Sequence, residues 1–440
     1  MNSGRAIGGA PDRLAFGGGQ PLRGRLRLPG DKSISHRALI FAALAHGTSV
    51  ITNLGTGADV GATARVLAGL GVIIASDGGA VVVEGSGVEG LTEPGDWLDC
   101  ENSGTAMRVL AGVLAGRPFL SVLSGDASLR SRPMGRIVEP LRAMGAHVDG
   151  PDGATRAPLV LRGDALHGIR YELPVASAQV KTCVLLAGLQ ADGQTVVVSP
   201  APSRDHTERM LRALGAPITV DGLAVTVTRG APRPFEMAVP GDPSSAAFLA
   251  VAAAITPGSE VVIEGLSANP TRVGFVTVLK RMGCDIELTA TGEVCGEPVG
   301  DLHVRASELH GTTIEGDEVP NVIDEIPALA VAAAFAEGVT DVRDAAELVV
   351  KESNRIGTLR VVVGKLGAGV ETRAYGLVVR RGAAGAAAFA SHGDHRIAMA
   401  MAVAAHALPA ESTVEGWRVV ASSYPEFAHD LARLSADDTS

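Results

Sequence analysis

ARVLAGLGVIIA (64–75), VEPLRAMGAHV (138–148), ERMLRALGAPITV (208–220), VTVLKRMGCDIEL (276–288) and RVVVGKLGAGVE (360–371) share one outline. An apolar helix-like stretch ends in Leu or Met, a glycine follows, and a strand-like run begins. The glycines, Gly71, Gly145, Gly215, Gly283 and Gly367, are 74, 70, 68 and 84 residues apart. Glycine suits the left-handed residue that closes a helix, and the alternation after it suits a half-buried strand. A degraded sixth copy is expected at DLARLSADD (430–438). A second series interleaves with the first: LAHGTSVITNL (44–54), LAGRPFLSVLSG (114–125), LQADGQTVVVSP (189–200), ITPGSEVVIEGL (255–266) and FAEGVTDVRDA (335–345). These read as helix end, turn and strand. The two series together describe six related units, each with two helices and several strands. A linear solenoid is the alternative, but six units without distinctive polar caps divide better as three plus three in two globular domains.

Composition agrees with that division. At 440 residues the chain exceeds the size at which one core stops growing. Aromatics are only 3% of the residues, so the cores must be built from Val, Leu, Ile and Ala. The net charge of -10 argues against a general nucleic-acid binder and leaves room for a local basic cleft. Only five of the 38 basic residues are lysines, which makes Lys32, Lys181 and Lys351, all inside motif-like loops, worth attention. Cys100, Cys183, Cys284 and Cys295 form no CxxC pair and read as free thiols of a cytoplasmic protein. No apolar run is long enough for a membrane span. The first 20 residues, Gly-rich with scattered arginines, read as a loose tail.

The polar residues gather in loops that feed apolar helices. LPGDKSISHRALIFAALAHG (28–47) sets Asp31, Ser33 or Ser35 as caps and offers Lys32, Ser33 and Arg37 to an oxyanion. The P-loop spacing is absent, which disfavours ATP. ENSGTAMRVLAGVL (101–114) places Gly104 where a ligand or a backbone can approach, with Arg108 one turn on. SGDASLRSRPMGR (124–136) adds Arg130, Arg132 and Arg136, which suit either a solvated face or an anion site. VASAQVKTCVLLAG (175–188) contributes Ser177, Gln179 and Lys181, and SPAPSRDHTERML (199–211) contributes Arg204 and His206. Asp324 and Glu325 precede an uncharged helix in VIDEIPALAVAAAFAEG (322–338). VVKESNRIGTL (349–359) supplies Lys351, Glu352 and Arg355, and HGDHRIAMAMAVAAHAL (392–408) supplies Asp394, His395 and Arg396. Cations in both halves imply a cleft between domains for a multiply anionic small molecule. No residue cluster suggests a metal.

In order along the chain, PGDKSISHRA, NSGTAMR, SGDASLRSRPMGR, GDPSSAAF (241–248), KESNR and GDHRIAM resemble the enolpyruvyltransferase family, and within it the branch that acts on shikimate 3-phosphate. The resemblance runs from about Leu22 to about Leu431. PMGR, SAQVK, RDHTE and NPTR (269–272) are similar to the bacterial subgroup called class II. The implied fold is α/β with two domains, each of three βαβαββ units. Implied limits are 1–27 for a flexible N-terminal tail and the first strand of a discontinuous domain, 28–241 for the shikimate-phosphate domain, and 242–440 for the remainder with the acid/base residues. Chain crossings are expected near Leu28 and Gly241.

The resemblance implies transfer of an enolpyruvyl group from phosphoenolpyruvate to the 5-hydroxyl of shikimate 3-phosphate, with no cofactor, no metal, no nucleic-acid or membrane partner, and a monomeric state. Lys32 resembles a lysine that reaches both substrates. Ser33, Arg37, Ser177, Gln179 and Arg204 resemble shikimate 3-phosphate contacts, and Arg132, Arg355 and Arg396 resemble cations that hold phosphoenolpyruvate. Gly104 lies where the family packs backbone against that small substrate. Asp324 resembles the group that takes the hydroxyl proton, Glu352 the partner at the methylene carbon, and Lys351 a further substrate contact. Asn354 stands in place of a commoner aspartate, Ser422 in place of a lysine, and Ala178 in place of a serine. The related cell-wall enzyme acting on a UDP-sugar carries a reactive cysteine in the loop that reads GDASLRSRP here, so the shikimate substrate is favoured. A non-catalytic repeat scaffold is disfavoured by the retained charged residues. The resemblance also implies inhibition by glyphosate: the class II signatures pull toward tolerance, while Gly104 leaves room for the inhibitor.

Overall fold

The computed structural model describes residues 11–383 and 385–436. Five four-stranded sheets share one strand order, a parallel pair followed by a hairpin whose second strand joins the pair. In one of them, Leu98–Asp99 and Leu120–Ser124 run parallel, and Leu159–Arg162 pairs antiparallel with both Leu120–Ser124 and His147–Asp149. Helix Gly104–Leu114 connects the parallel strands and helix Gly135–Ala143 leads into the hairpin, which makes the unit βαβαββ. The repeat glycines end the second helices with φ of 88° at Gly71, 103° at Gly145, 75° at Gly215, 90° at Gly283 and 88° at Gly367. Each is in the left-handed region, as the helix-closing motif requires.

The units exchange strands along the chain. Glu236–Ala238 is the parallel partner of His46–Thr52, and Arg23–Arg27 is the parallel partner of Glu260–Ser267. The sixth sheet has three strands: Ala388–Ala390, Ser412–Glu415 and Arg13–Phe16. The expectation of a loose tail through residue 20 therefore fails at residues 13–16. Their alternating RLAF turns Leu14 and Phe16 onto the core, pairs antiparallel with Ser412–Glu415, and sets the Phe16 ring 5.0 Å from that of Trp417. This strand occupies the place that a hairpin strand takes in the other units. The sixth copy expected at 430–438 falls on helix Phe427–Ser435. Residues 1–10 of the expected tail, and residues 437 and 438 of that copy, lie outside the described residues.

Two buried cores result, one from residues 34–239 and one from Leu22, Leu26, Leu28 and residues 246–434. Each core is centred on three helices. Lys32–Leu44, Gly104–Leu114 and Ala178–Gly188 fill the first, and Pro243–Ile255, Ile326–Phe335 and His395–His406 fill the second. A helix surrounded by protein must be apolar on all sides, and every residue from Ile326 to Ala334 is buried. Small residues let these helices approach closely: a β-carbon on Gly112 would lie 2.1 Å from the Cys183 carbonyl oxygen. Because the helix bodies are buried, most of their polar side chains gather in the first two turns, where Arg37, Arg108 and Lys181 stand.

The chain passes between the cores twice, along Leu28–Asp31 and Pro240–Asp242. The two passages run side by side, with Asp31 N donating to Pro240 O at 2.7 Å and Asp242 N donating to Pro29 O at 3.2 Å. Asn53, held at φ 49°, donates its amide to Leu28 O at 3.2 Å and to Val239 O at 2.8 Å, and so ties both passages to the strand His46–Thr52. Asn53→Ala removes both bonds and leaves a β-branched-free but unfavourable left-handed alanine. We expect a loss of about 1–2 kcal/mol in urea unfolding, and wild-type stability would show that the tie carries no weight.

Candidate active site

A cavity of about 370 Å³ lies between the domains. Its wall takes Arg108, Arg132, Ser177, Gln179 and Arg204 from one side and Asp324, Lys351 and Glu352 from the other. A larger hollow of about 660 Å³, beside Phe16 and Leu431, has no lysine or arginine among the described residues of its lining. Its charges make the smaller one the candidate site.

Asp324 is the most heavily paired group of the cleft. Its carboxylate lies 2.6 Å from Arg204 Nη2, 3.2 Å from Arg355 Nη1, 3.3 Å from Lys351 Nζ and 3.9 Å from Arg396 Nη2. Burial alone would raise its pKa; Lys351, Arg396, Arg204 and Arg355 override that and hold it well below the ordinary carboxylate value. Glu352 is similar: burial opposes ionisation, and Arg355, His395, Arg132 and Lys351 outweigh it. Arg355 Nη2 reaches Glu352 Oε2 at 2.6 Å, and Arg132 Nη1 stands 3.8 Å from Glu352 Oε1. Arg204 and Arg132 come from the opposite domain, so both carboxylates bridge the cleft.

The remaining candidates stand at helix starts behind this wall. Arg355 is fully buried and also binds Asp394 through Nε at 2.8 Å. Arg396 donates to the Asp324 backbone oxygen at 3.0 Å. Gly104 begins its helix beneath two guanidinium groups; an added β-carbon would lie 3.2 Å from Arg108 Nη1 and 3.3 Å from Arg132 Nη1. Gln179 is oriented at both ends, accepting from Arg108 Nη1 at 2.6 Å and donating to Thr105 Oγ1 at 2.9 Å. Ser177 caps its helix. Lys32, Ser33 and Arg37 do not line the cavity. The Lys32 ammonium pairs with Asp59, while Asp31 caps the helix through Ile34 N. Arg37 is 3% exposed and donates to Ser33 O, Thr182 and Thr207.

Nothing in the sequence singled out Asp59. Arg108 had a signal, since it follows Gly104 by four residues and so overlies the same helix face. Burial, then Arg136 and Arg132, bring Arg108 down to about 10. Asn354 caps helix Arg355–Lys365 through Gly357 N at 3.2 Å, a task that aspartate and asparagine share. Ser422 donates to Val419 O within its own turn and does not line the cavity. Among the described residues no group of His, Cys, Asp and Glu is arranged to hold a metal, and no helix is long and apolar enough to cross a membrane.

The fold and its cationic cleft define an enolpyruvyltransferase architecture. The enolpyruvyl transferase NikO from Streptomyces tendae superposes with a TM-score of 0.76 over 97% of this chain and 98% of its own, at 20% identity, a likeness of fold alone. EPSP synthase from Acinetobacter baumannii superposes with a TM-score of 0.86 at 41% identity, covering 96% of this chain and 98% of that one. The 3-phosphoshikimate 1-carboxyvinyltransferase of Synechococcus sp. (strain JA-3-3Ab) is 50% identical over 430 residues, 96% of this chain and 97% of the relative. That of Acidithiobacillus ferrooxidans (strain ATCC 53993 / BNL-5-31) is 52% identical over 412 residues, 93% of this chain and 94% of the relative. The sequence model of EPSP synthase (3-phosphoshikimate 1-carboxyvinyltransferase) matches residues 17–431, and the chain belongs to that family.

The depressed carboxylates link stability to pH. An unfolded Asp or Glu titrates near 4; Asp324 and Glu352 titrate lower when folded, so their contribution is complete above that value and is lost as pH falls through the folded value. Acid unfolding followed by circular dichroism should show a shallower pH dependence below about 4 in Asp324→Asn than in wild type. Superimposable slopes would contradict the linkage.

Proposed function

We propose that the residues of this cleft divide an addition–elimination between them. The chain transfers the enolpyruvyl group of phosphoenolpyruvate to the 5-hydroxyl of shikimate 3-phosphate and releases phosphate. The observation that carries the division is the placement of Asp324 and Glu352, two ionised carboxylates on one wall, among cations from both domains. Asp324 accepts the proton of the attacking hydroxyl as its oxygen bonds to C2 of phosphoenolpyruvate. Glu352, protonated once the anions are bound, gives C3 a proton on addition and takes one back as the C2–O bond to phosphate breaks, and the departing phosphate takes the proton held by Asp324. Ser33, Arg37, Ser177, Gln179, Arg204 and Lys351 hold shikimate 3-phosphate. Lys32, Arg132, Arg355 and Arg396 hold phosphoenolpyruvate beside Gly104 and draw the two anions together. Arriving anions take over these cations, and loss of the cations raises the proton affinity of both carboxylates, which a base and an acid at neutral pH require. Movement about the two chain passages, which we take as the hinge, excludes water from the intermediate. We place the reaction in the cytoplasm, a reading supported by the four free cysteines.

Phosphate release from phosphoenolpyruvate, measured with shikimate 3-phosphate and with a UDP-sugar as acceptor, tests the substrate; turnover with the UDP-sugar alone would reverse the reading. In the same assay Asp324→Asn should lose roughly 10²–10⁴-fold in kcat while retaining shikimate 3-phosphate binding, and near-normal turnover would remove Asp324 from the proton path.

Gly104→Ala tests the phosphoenolpyruvate subsite. The methyl group would lie 3.3 Å from Arg132 Nη1 and 3.2 Å from Arg108 Nη1, so one guanidinium must give way by a few tenths of an ångström. Overpacking of this kind costs about 1–3 kcal/mol. Glyphosate, longer than phosphoenolpyruvate, should lose more affinity than the donor, so the ratio of inhibitor Ki to donor KM should rise. An unchanged or lower ratio would show that Gly104 does not discriminate between them.

A further inference from the structure

Of the segment RDHTE (204–208), only Arg204 has a part in the reading above, yet each of the other four residues has a specific partner. Asp205 and His206 reach into the opposite domain. Asn269 Nδ2 donates to Asp205 Oδ1 at 2.8 Å and to Glu297 Oε2 at 3.0 Å, and His206 Nδ1 lies 2.8 Å from Glu297 Oε1. His206 and Glu297 have no solvent exposure. Thr207 and Glu208 turn back to their own domain. Glu208 pairs with Lys181 at 2.5 Å, and Thr207 Oγ1 accepts from Arg37 Nε at 2.8 Å.

The protons around Arg37 can be assigned. Thr182 Oγ1 donates to Ala178 O at 2.7 Å, so its single hydrogen is committed. The 2.6 Å contact between Thr182 and Thr207 is then donated by Thr207. Both hydroxyls present only lone pairs to Arg37, which donates to them through Nε and Nη2 and to Ser33 O through Nη1. One hydrogen is left on each terminal nitrogen. Among the described residues no carboxylate forms an ion pair with Arg37, and burial brings its pKa down to about 10. The guanidinium is a buried cation whose direct partners are neutral oxygens, with Glu208, Asp31 and Glu297 acting on it from beyond contact distance.

We propose that Thr207 is the positioning residue that presents Arg37 to shikimate 3-phosphate, and that the His206–Glu297 contact makes this presentation depend on how the two domains are seated. The proposal rests on Arg37 being a shikimate 3-phosphate contact. His206 and Thr207 are consecutive residues in the first turn of helix His206–Ala213, so a shift of one is passed to the other through a single planar peptide unit. A displacement at the domain boundary therefore reaches the Thr207 hydroxyl and, through it, the plane of Arg37.

The test is calorimetric binding of shikimate 3-phosphate together with the KM of phosphoenolpyruvate at saturating shikimate 3-phosphate. Thr207→Val should weaken shikimate 3-phosphate about tenfold and leave the phosphoenolpyruvate KM unchanged, and Thr207→Ser should restore binding. Arg272 Nη1, which can only donate, faces His206 Nε2 at 3.4 Å, so Nδ1 carries the proton, and Glu297→Gln sets an amide against either His206 Nδ1–H or Asn269 Nδ2–H with the loss of one bond. Although Glu297 lies in the other domain, this variant should weaken the same ligand severalfold, and the double variant should bind no more weakly than Thr207→Val alone. Wild-type binding by Glu297→Gln, or effects that multiply in the double variant, would overturn the coupling. A fall in Tm with both substrates weakened equally would show a purely structural role and overturn it too. Arg37→Lys separates the premise from the proposal. Unchanged binding there would remove Arg37 from the substrate, whereas weakened binding there with a wild-type Glu297→Gln would sink the coupling alone.

Discussion

The guanidinium of Arg355 has no solvent exposure and meets three carboxylates, Asp394 at 2.8 Å, Glu352 at 2.6 Å and Asp324 at 3.2 Å. A buried charge is tolerated only when it is paired, and this one is paired with the two groups assigned to proton transfer. The cleft must hold two anionic substrates, so it carries an excess of cations that would repel one another when it is empty. Asp324 and Glu352 serve as the internal counter-ions of that state. Their low proton affinity follows from these contacts, and the proposed role follows with it, because a substrate that takes a cation also releases a base.

A second buried cation organises the boundary between the domains. Arg272, 2% exposed, binds Asp31 Oδ2 at 2.7 Å, Asp242 Oδ1 at 2.9 Å and Ser244 Oγ at 2.9 Å. Asp31 and Asp242 are the caps of central helices in different domains, so one guanidinium holds both helix starts where the chain crosses. Ser244 in turn donates to Glu325, whose carboxyl lies 3.9 Å from Arg396 Nη1. Burial raises Glu325 above its ordinary value despite Arg396. The two chain passages and the cations of the cleft thus belong to one polar network that threads the ends of the buried helices.

The six-unit repeat was legible because its signals are local. A helix that must end in a left-handed glycine, followed by an alternating strand, is written into about a dozen neighbouring residues. The polar loops were legible for the same reason, since a helix buried on every side gathers its charge in its N-terminal turns. Strand Arg13–Phe16 was not legible. Four residues carry too little pattern to specify a strand, and the partner, Ser412–Glu415, lies some 400 positions away. The residues behind the site were hidden likewise: Asp59 sits on a helix with no motif, and Thr182 and Thr207 are ordinary helix residues until Arg37 is folded against them.

The sequence by itself determined the repeating unit, the pairing of three units with three, and the inventory of cations and carboxylates, because periodicity, caps and residue chemistry are properties of short segments. Only the tertiary structure decided which carboxylate faces which cation. Asp324 lies 120 positions from Arg204, and Glu352 is 220 from Arg132, yet each pair closes across the cleft. Such partners are chosen by how the central helices pack, and the energy of a buried ion pair depends on ångström-scale distances that no local pattern encodes.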